Sequence, residues 1–320
     1  MRDNTATMPN EKEKKAAFVA VIGRPSAGKS TLINLLCGER VAIVSPVPQT
    51  TRNAIRGIVN REQGQLVLVD TPGIHLSEKK FNCRLTETAV RAAGEADIIL
   101  YVMDAARPPG PEEEAAAELT AKLFRAGLDS GQTPLIVAVN KMDRDGADFR
   151  RAADFLTARF APPNAVFDQS CVFPLSALKN EGVETLLAAL YKTAPAGDPF
   201  YPDEYYTDQE MDFRISEVIR GAALPYLRQE LPHAVYVEVA DRELQSVGTT
   251  QFLWVRAFII CERESQKGMI VGKGGAIIKA IGETSRKELN RILDWKVKLD
   301  LRVKTSKDWR HKDSVLRKLL

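Results

Sequence analysis

Hydrophobic positions along this chain follow two regimes. Up to about residue 193, short continuous apolar runs recur: "FVAVI" (18–22), "LVLVD" (66–70), "DIILYVMD" (97–104), "LIVAVN" (135–140) and "VFPLS" (172–176). Between them, stretches near 82–94, 114–126, 147–160 and 182–192 carry apolar residues at helical spacing. Uninterrupted apolar runs suit strands buried on both faces, so the alternation predicts an α/β domain: a mostly parallel sheet with helices on both sides. Beyond about residue 209 the pattern changes. "DFRISEVIRGAALPYLRQEL" reads as helix with a proline interruption, and "AVYVEVA" and "FLWVRAFIIC" alternate like strands. "SQKGMIVGKGGAIIKAIGETSRKELNRIL" reads as two helices around a glycine turn, and "KVKLDLRVK" (296–304) alternates basic and apolar residues like an edge strand. The order α-β-β-α-α-β predicts a smaller α+β unit.

The segment between the regimes, "TAPAGDPFYPDEYYTD" (193–208), combines prolines, aromatics and acids without periodicity. It reads as an interdomain linker. The expected organisation is a disordered polar tail over 1–15, a domain over 16–193, a linker over 194–208 and a second domain over 209–320.

Charge changes the picture at one end. The whole chain carries +3, but residues 261–320 hold 16 Lys and Arg against 8 Asp and Glu, a net +8, which leaves −5 on the other 260. A mildly acidic body with a basic end suggests a polyanionic partner there, against the plainer alternative of a solvated Lys/Arg face. Cys37, Cys83, Cys171 and Cys261 are scattered and read as reduced thiols, not a disulfide frame or zinc site. His75, His233 and His311 form no ligand cluster in sequence. No apolar run approaches the roughly 18 residues of a membrane span, and no signal-peptide pattern opens the chain. A cytoplasmic monomer is expected.

Chemistry concentrates where strands end, as it must in an open parallel sheet. After "FVAVI" comes "GRPSAGKS", a G-x-x-x-x-G-K-S from Gly23 to Ser30, which leads into the helical "KSTLINLLC". Glycines let backbone N–H groups curl around phosphate oxygens, and the helix N-terminus adds positive potential. Lys29 can reach the β and γ phosphates, and the Ser30 hydroxyl can ligate Mg²⁺. "LVLVDTPG" places Asp70 at a strand end, able to hold the Mg²⁺ shell directly or through water, and Gly73 where its N–H can meet the γ-phosphate. Between these elements "SPVPQTTRNAIRG" (45–57) must supply a mobile threonine for the metal; Thr51 is the first candidate and Thr50 the second.

"VAVNKMD" ends a further strand with Asn140, Lys141 and Asp143. A carboxylate only accepts, so Asp143 suits the paired N1–H and amine donors of guanine and would be left unpaired by adenine. Asn140 can donate to the base and the Lys141 stem can lie over it. In "PLSALKNEG", Ser176 can brace the loop and the Ala177 N–H can donate to guanine O6. The nucleotide is therefore GTP or GDP. The binding segments are Gly23, Arg24, Pro25, Ser26, Ala27, Gly28, Lys29, Ser30 and Thr31; Asp70, Thr71, Pro72, Gly73 and Ile74; Asn140, Lys141, Met142 and Asp143; and Ser176, Ala177 and Leu178. Lys29, Thr51 and Gly73 are the catalytic candidates; Ser30, Thr51 and Asp70 are the metal candidates.

"GRPSAGKSTLIN", "PQTTR", "DTPGIH", "NKMD", "SALK", "ELPHAVYVEV" and "IVGKGGAIIKAIG" together resemble the bacterial Era GTPases, over about residues 16–318. The resemblance implies a Ras-like GTPase domain followed by a KH domain. It also implies GTP hydrolysis with Mg²⁺, binding of the 3′ end of 16S rRNA, and a role in assembly of the 30S subunit. The residues support the KH part separately. Gly272-Lys273-Gly274-Gly275 is a G-x-x-G between two helical stretches, which can clamp about four nucleotides. Lys267, Ile270, Val271, Gly272, Lys273, Gly274, Gly275 and Lys279 are the RNA-binding candidates, the lysines for phosphates.

Two positions depart from expectation. Ile74 stands where Ras-type enzymes carry a glutamine that orients water, which implies slow intrinsic hydrolysis. Ser26 stands where many relatives have Asn; in potassium-activated relatives that amide oxygen helps bind K⁺, and serine is shorter. Two other readings stay open. One is an RNA-binding module that GTP gates with negligible turnover. The other is a signalling GTPase held peripherally at anionic lipid by the basic C-terminal strand.

Overall fold

The computed structural model describes residues 13–44, 53–74, 80–130, 134–161, 167–227, 231–248, 250–312 and 315. Its first unit is a six-stranded sheet of order β2-β3-β1-β4-β5-β6. The strands are β1 (Lys15–Ile22), β2 (Ile55–Arg61), β3 (Gly64–Asp70), β4 (Ile98–Asp104), β5 (Leu135–Asn140) and β6 (Val172–Pro174). All pairings are parallel except β2 with β3. Every residue of β3, β4 and β5 is buried, as the uninterrupted apolar runs require. The helices α1 (Lys29–Cys37), α2 (Lys80–Gly94), α3 (Pro111–Ser130), α4 (Phe149–Phe160) and α5 (Val183–Thr193) cover the two faces. One core gathers Val19, Val21, Leu68 and Leu100 with Leu32 and Leu190; the other gathers Ala20, Ile22, Ile99 and Tyr101 with Leu156 and Phe160.

Strand β2 was not expected: no strand is read between "FVAVI" and "LVLVD", and its first three residues fall in the 45–57 stretch read for its threonines. It is made by pairing, Ile55 through Arg61 running antiparallel to Asp70 through Gly64. Its outer side is covered by the segment expected as a linker. The Ile58 N–H donates to Tyr206 O at 2.9 Å, and Asn60 Nδ2 donates to Asp203 O at 2.8 Å. Gln65 accepts from the Phe200 N–H and donates to Tyr201 O, both at 2.8 Å. The proline-rich segment thus spends its backbone groups on a sheet edge. At the other end, β1 begins at Lys15, inside the expected tail, because the Lys15 N–H donates to Gln63 O at 2.9 Å. Residues 1–12 of that tail lie outside the described residues.

The second unit has the expected order. Helix α6 (Met211–Ala223) runs into a 3-10 turn at Leu224–Tyr226, where Pro225 ends the helix, and a short α7 (Leu231–Ala234) follows. Strands β7 (Tyr236–Val247), β8 (Thr250–Cys261) and β9 (Lys296–Thr305) form a sheet with β8 central. β9 lies at the edge, parallel to β8. Helices α8 (Glu264–Val271) and α9 (Ala276–Ile292) join at the glycine turn. Leu253, Val255, Ala257 and Ile259 of β8 close a core with Ile215, Ile219, Ile270, Ile281 and Leu289. The two units touch through the stretch after α1. Ile43 belongs to the second core, Gln209 Nε2 donates to Val41 O at 2.9 Å, and Arg40 pairs with Glu288 at 2.9 Å. No described helix is long and apolar enough to cross a membrane.

Candidate nucleotide site and glycine clamp

The phosphate loop turns tightly between β1 and α1. Gly28 has φ 102°, and a Cβ there would lie 2.2 Å from Asn140 Nδ2, so only glycine fits both the backbone and the space. Pro25 and Ala27 are buried, Ser26 is exposed at φ 61°, and Thr31 is half-buried in the first turn of α1. Lys29 is 6 % exposed, and its ammonium donates to Gly23 O at 3.0 Å and Arg24 O at 3.1 Å. Burial lowers its pKa from 10.5 to about 8, with Asp70 and Glu113 opposing. A desolvated cation held by two loop carbonyls at the first turn of α1 is prepared for phosphate.

Ser30 Oγ donates to Asp70 Oδ2 at 2.7 Å, so two of the three metal candidates meet. Thr51 and its alternative Thr50 lie outside the described residues. Thr71 and Pro72 are buried, the Thr71 hydroxyl donating to Val21 O at 2.7 Å. Gly73 follows, and the Ile74 N–H reaches Gly23 O at 3.4 Å. Ile74, a nucleotide-binding candidate, keeps its side chain 4 % exposed within the core of Ala20, Ile22 and Ile99. An apolar side chain gains more there than beside phosphates.

The base loop lies at the ends of β5 and β6. Asp143 Oδ1 accepts from Ser176 Oγ at 2.6 Å, a bond that holds the carboxyl below its ordinary pKa and ionised. Met142 is half-buried and Leu178 is 75 % exposed at the rim. Asn140 and the Ala177 N–H were expected to donate to the base. Asn140 Nδ2 donates to Ala27 O at 2.9 Å with one of its two N–H groups, and Asn140 Oδ1 accepts from the Lys141 and Ala177 N–H groups at 2.8 and 3.0 Å. Asn140 is 2 % exposed, and a polar group that deep needs protein partners. Its work is to tie three loops together. The Lys141 ammonium donates to Ser26 O at 2.6 Å and Asp104 Oδ2 at 2.7 Å, which fixes the end of the side chain between the phosphate loop and β4.

Sequence reasoning missed Asp104 and Glu113, which hold Arg24 of the phosphate loop at 2.9 and 2.7 Å. Asp104 could have been found, since it ends an apolar strand as Asp70 does. Glu113 carried no signal within the run Glu112–Glu114.

In the second unit Gly272 caps α8 at φ 73°, and a Cβ there would lie 2.6 Å from Ile277 Cγ1. Lys273, Gly274 and Lys279 are exposed, Gly275 is the N-cap of α9, and Val271 is half-buried. Lys267 pairs with Glu264 at 3.5 Å. Ile270 was expected at RNA; it is fully buried against β8 and α9, so it holds the turn in place from beneath.

A guanine-selective phosphate-loop site on one unit and a glycine-turn clamp on the other define a GTPase with a C-terminal KH domain. A family model described as 50S ribosome-binding GTPase matches residues 18–141, and one described as KH domain matches residues 230–310. GTPase Era of Treponema denticola is 44 % identical over 304 residues, covering 95 % of this chain and 99 % of that protein. A solved Aquifex aeolicus Era variant bound to GDP and AlF4⁻ superposes with a TM-score of 0.84 at 30 % identity, covering 95 % of this chain and 98 % of that one. An Era structure in complex with MgGDPNP and nucleotides 1506-1542 of 16S ribosomal RNA matches with the same score and identity, covering 96 % and 98 %. The chain belongs to the GTPase Era family.

Proposed function

We propose that this GTPase binds the 3′ end of 16S rRNA through its glycine turn and acts, as a cytoplasmic monomer, in assembly of the 30S subunit. The observation that carries the reading is one chain holding both a preorganised guanine-nucleotide site and an exposed, cation-tipped glycine turn. The Era chain solved with MgGDPNP and 16S rRNA nucleotides supports it over nearly the full length.

The residues then divide the work. Lys29 and the loop N–H groups meet the β and γ phosphates and stabilise charge as it develops there. The oxygen-only pair of Ser30 and Asp70, 2.7 Å apart at the foot of the loop, fits Mg²⁺. Ser30 and Thr51 would hold the ion, with Asp70 in its shell, and bound Mg²⁺ neutralises phosphate charge. Gly73 meets the γ-phosphate through its N–H, and Asp143 reads guanine. Ile74, buried, offers no group to orient water, so turnover is slow. At the clamp, Lys273 and Lys279 meet RNA phosphates while the bare glycines admit the backbone.

Fluorescence anisotropy with a labelled 16S 3′-end oligonucleotide tests the RNA assignment. Preference for it over a scrambled strand is expected; equal affinity for both would overturn the rRNA assignment. Asp143→Asn should move preference from GTP to XTP, because the amide donates to the xanthine oxygen. Unaltered GTP affinity with no gain for XTP would remove Asp143 from the base site.

A further inference from the structure

The end of β4 carries a carboxylate that the roles above leave unused. Asp104 is 1 % exposed. Its Oδ2 accepts from Arg24 Nη2 at 2.9 Å and from Lys141 Nζ at 2.7 Å, and its Oδ1 accepts from the Ala106 N–H at 3.0 Å. Arg24 belongs to the loop for the phosphates and Lys141 to the loop for the base. One oxygen atom is therefore shared by the two loops that take opposite ends of the nucleotide. The contacts continue on both sides. Lys141 also donates to Ser26 O within the phosphate loop at 2.6 Å. Arg24 also donates from Nε to Glu113 Oε2 at 2.7 Å, and Glu113 accepts from the Tyr101 hydroxyl.

The charges balance: two cations face two carboxylates in a region where none of the four is more than lightly solvated. Such a cluster adds little net stability compared with a well-packed apolar one, because desolvation cancels most of the attraction. What it does supply is geometry. Two charge-assisted bonds to one atom hold Arg24 and Lys141 at a set separation. A ligand that must touch both loops then finds them already spaced, and spends less of its binding energy on ordering them.

We propose that Asp104 is a positioning residue for guanine-nucleotide binding, holding the phosphate loop through Arg24 and the base loop through Lys141 at one fixed separation. This rests on the reading that the nucleotide spans both loops. The test is release of a fluorescent GDP analogue from the full chain, with thermal melting of the nucleotide-free protein measured alongside. Asp104→Asn keeps the shape and removes the charge, and should speed release about tenfold or more.

A cycle that leaves Asp104 in place tests the linkage itself. Glu113 and Lys141 stand at opposite ends of a chain of contacts that runs from Glu113 through Arg24 and Asp104 to Lys141. Glu113→Gln should speed release several-fold less in a Lys141→Met background than in the unaltered chain, with no matching coupling in the melting temperatures. Release from Asp104→Asn at the unaltered rate would overturn the proposal. So would additivity of Glu113→Gln and Lys141→Met, which also covers the case in which Asp104→Asn fails to fold. Failure of the unaltered chain to bind the analogue at all would be a different result, against the nucleotide reading itself.

Discussion

The nucleotide loops keep their working side chains inside the protein, whereas the glycine turn of the KH unit keeps its lysines outside. Lys29 and Arg24 are 6 % and 7 % exposed, and Asn140 is 2 % exposed with side-chain bonds to Ala27 and Ala177 on two other loops. Lys273 on the turn and Lys279 in the first turn of α9 are exposed, while Ile270 in α8 beneath them faces the core. The difference follows from the ligands expected at each. A nucleotide is small and must be enclosed, so its site holds buried charges in advance and bears their desolvation cost. An RNA backbone is long and approaches from solvent, so its site needs bare glycines and solvated cations and little preorganisation.

Removing a buried working cation should give the largest effect. Lys29→Ala should lower GTP turnover about 100- to 1,000-fold. The nucleotide-free protein should melt no lower, because the mutation also removes a desolvated charge. A loss of turnover under tenfold would break the claim that this cation is set in place for the phosphates.

The exposed site should respond to charge reversal without any echo across the domains. Replacing Lys273 and Gly274 by aspartates should weaken binding of the 16S 3′-end strand on the order of tenfold or more at moderate salt. GTP affinity should stay within about twofold, since each unit has its own core. Unchanged RNA affinity would move the binding surface away from the turn.

The burial of Lys29 also makes a pH prediction with a definite sign. Its pKa in the nucleotide-free protein is lowered to about 8 from 10.5. Between those values the unfolded chain binds the extra proton, so nucleotide-free stability rises with pH across that window. Bound phosphate holds the proton on Lys29, so nucleotide affinity should fall about tenfold from pH 7 to pH 9. Titrating GDP binding over that range checks it. Lys29→Arg, protonated throughout, should bind more weakly but with a flat profile.

The smallest effect belongs to the exposed corner of the buried site. Ser26 is exposed at φ 61°, a conformation that asparagine adopts more readily than serine. Ser26→Asn should raise turnover a few-fold in KCl and leave it unchanged in NaCl, restoring the amide oxygen that potassium-activated relatives use. Strong stimulation of the unaltered enzyme by KCl, with nothing added by the mutation, would show that a hydroxyl suffices there.

Local spacing in the sequence was enough to read the strand–loop–helix around Lys29, the acid at the end of β3, the loop of Asp143 after β5 and the turn at Gly272–Gly275. In each, the chemistry is set by residues within a few positions of one another on one loop, where backbone geometry alone brings them together. The α-β-β-α-α-β order was legible for the same reason, since periodicities of 2 and 3.6 are local. Tertiary structure decided everything that depended on a distant partner. Strand β2 exists because β3 and the 200–208 segment satisfy its backbone, and no strand was read there from its own sequence. Ile74 and Ile270 lie beside functional glycines in sequence, yet the cores draw both inward. Asn140 found Ala27, 113 positions away, and Arg24 found Asp104 and Glu113 at 80 and 89 positions. Buried polar groups must be paired, and which partner is in reach is fixed only once the sheet has brought the ends of its strands together.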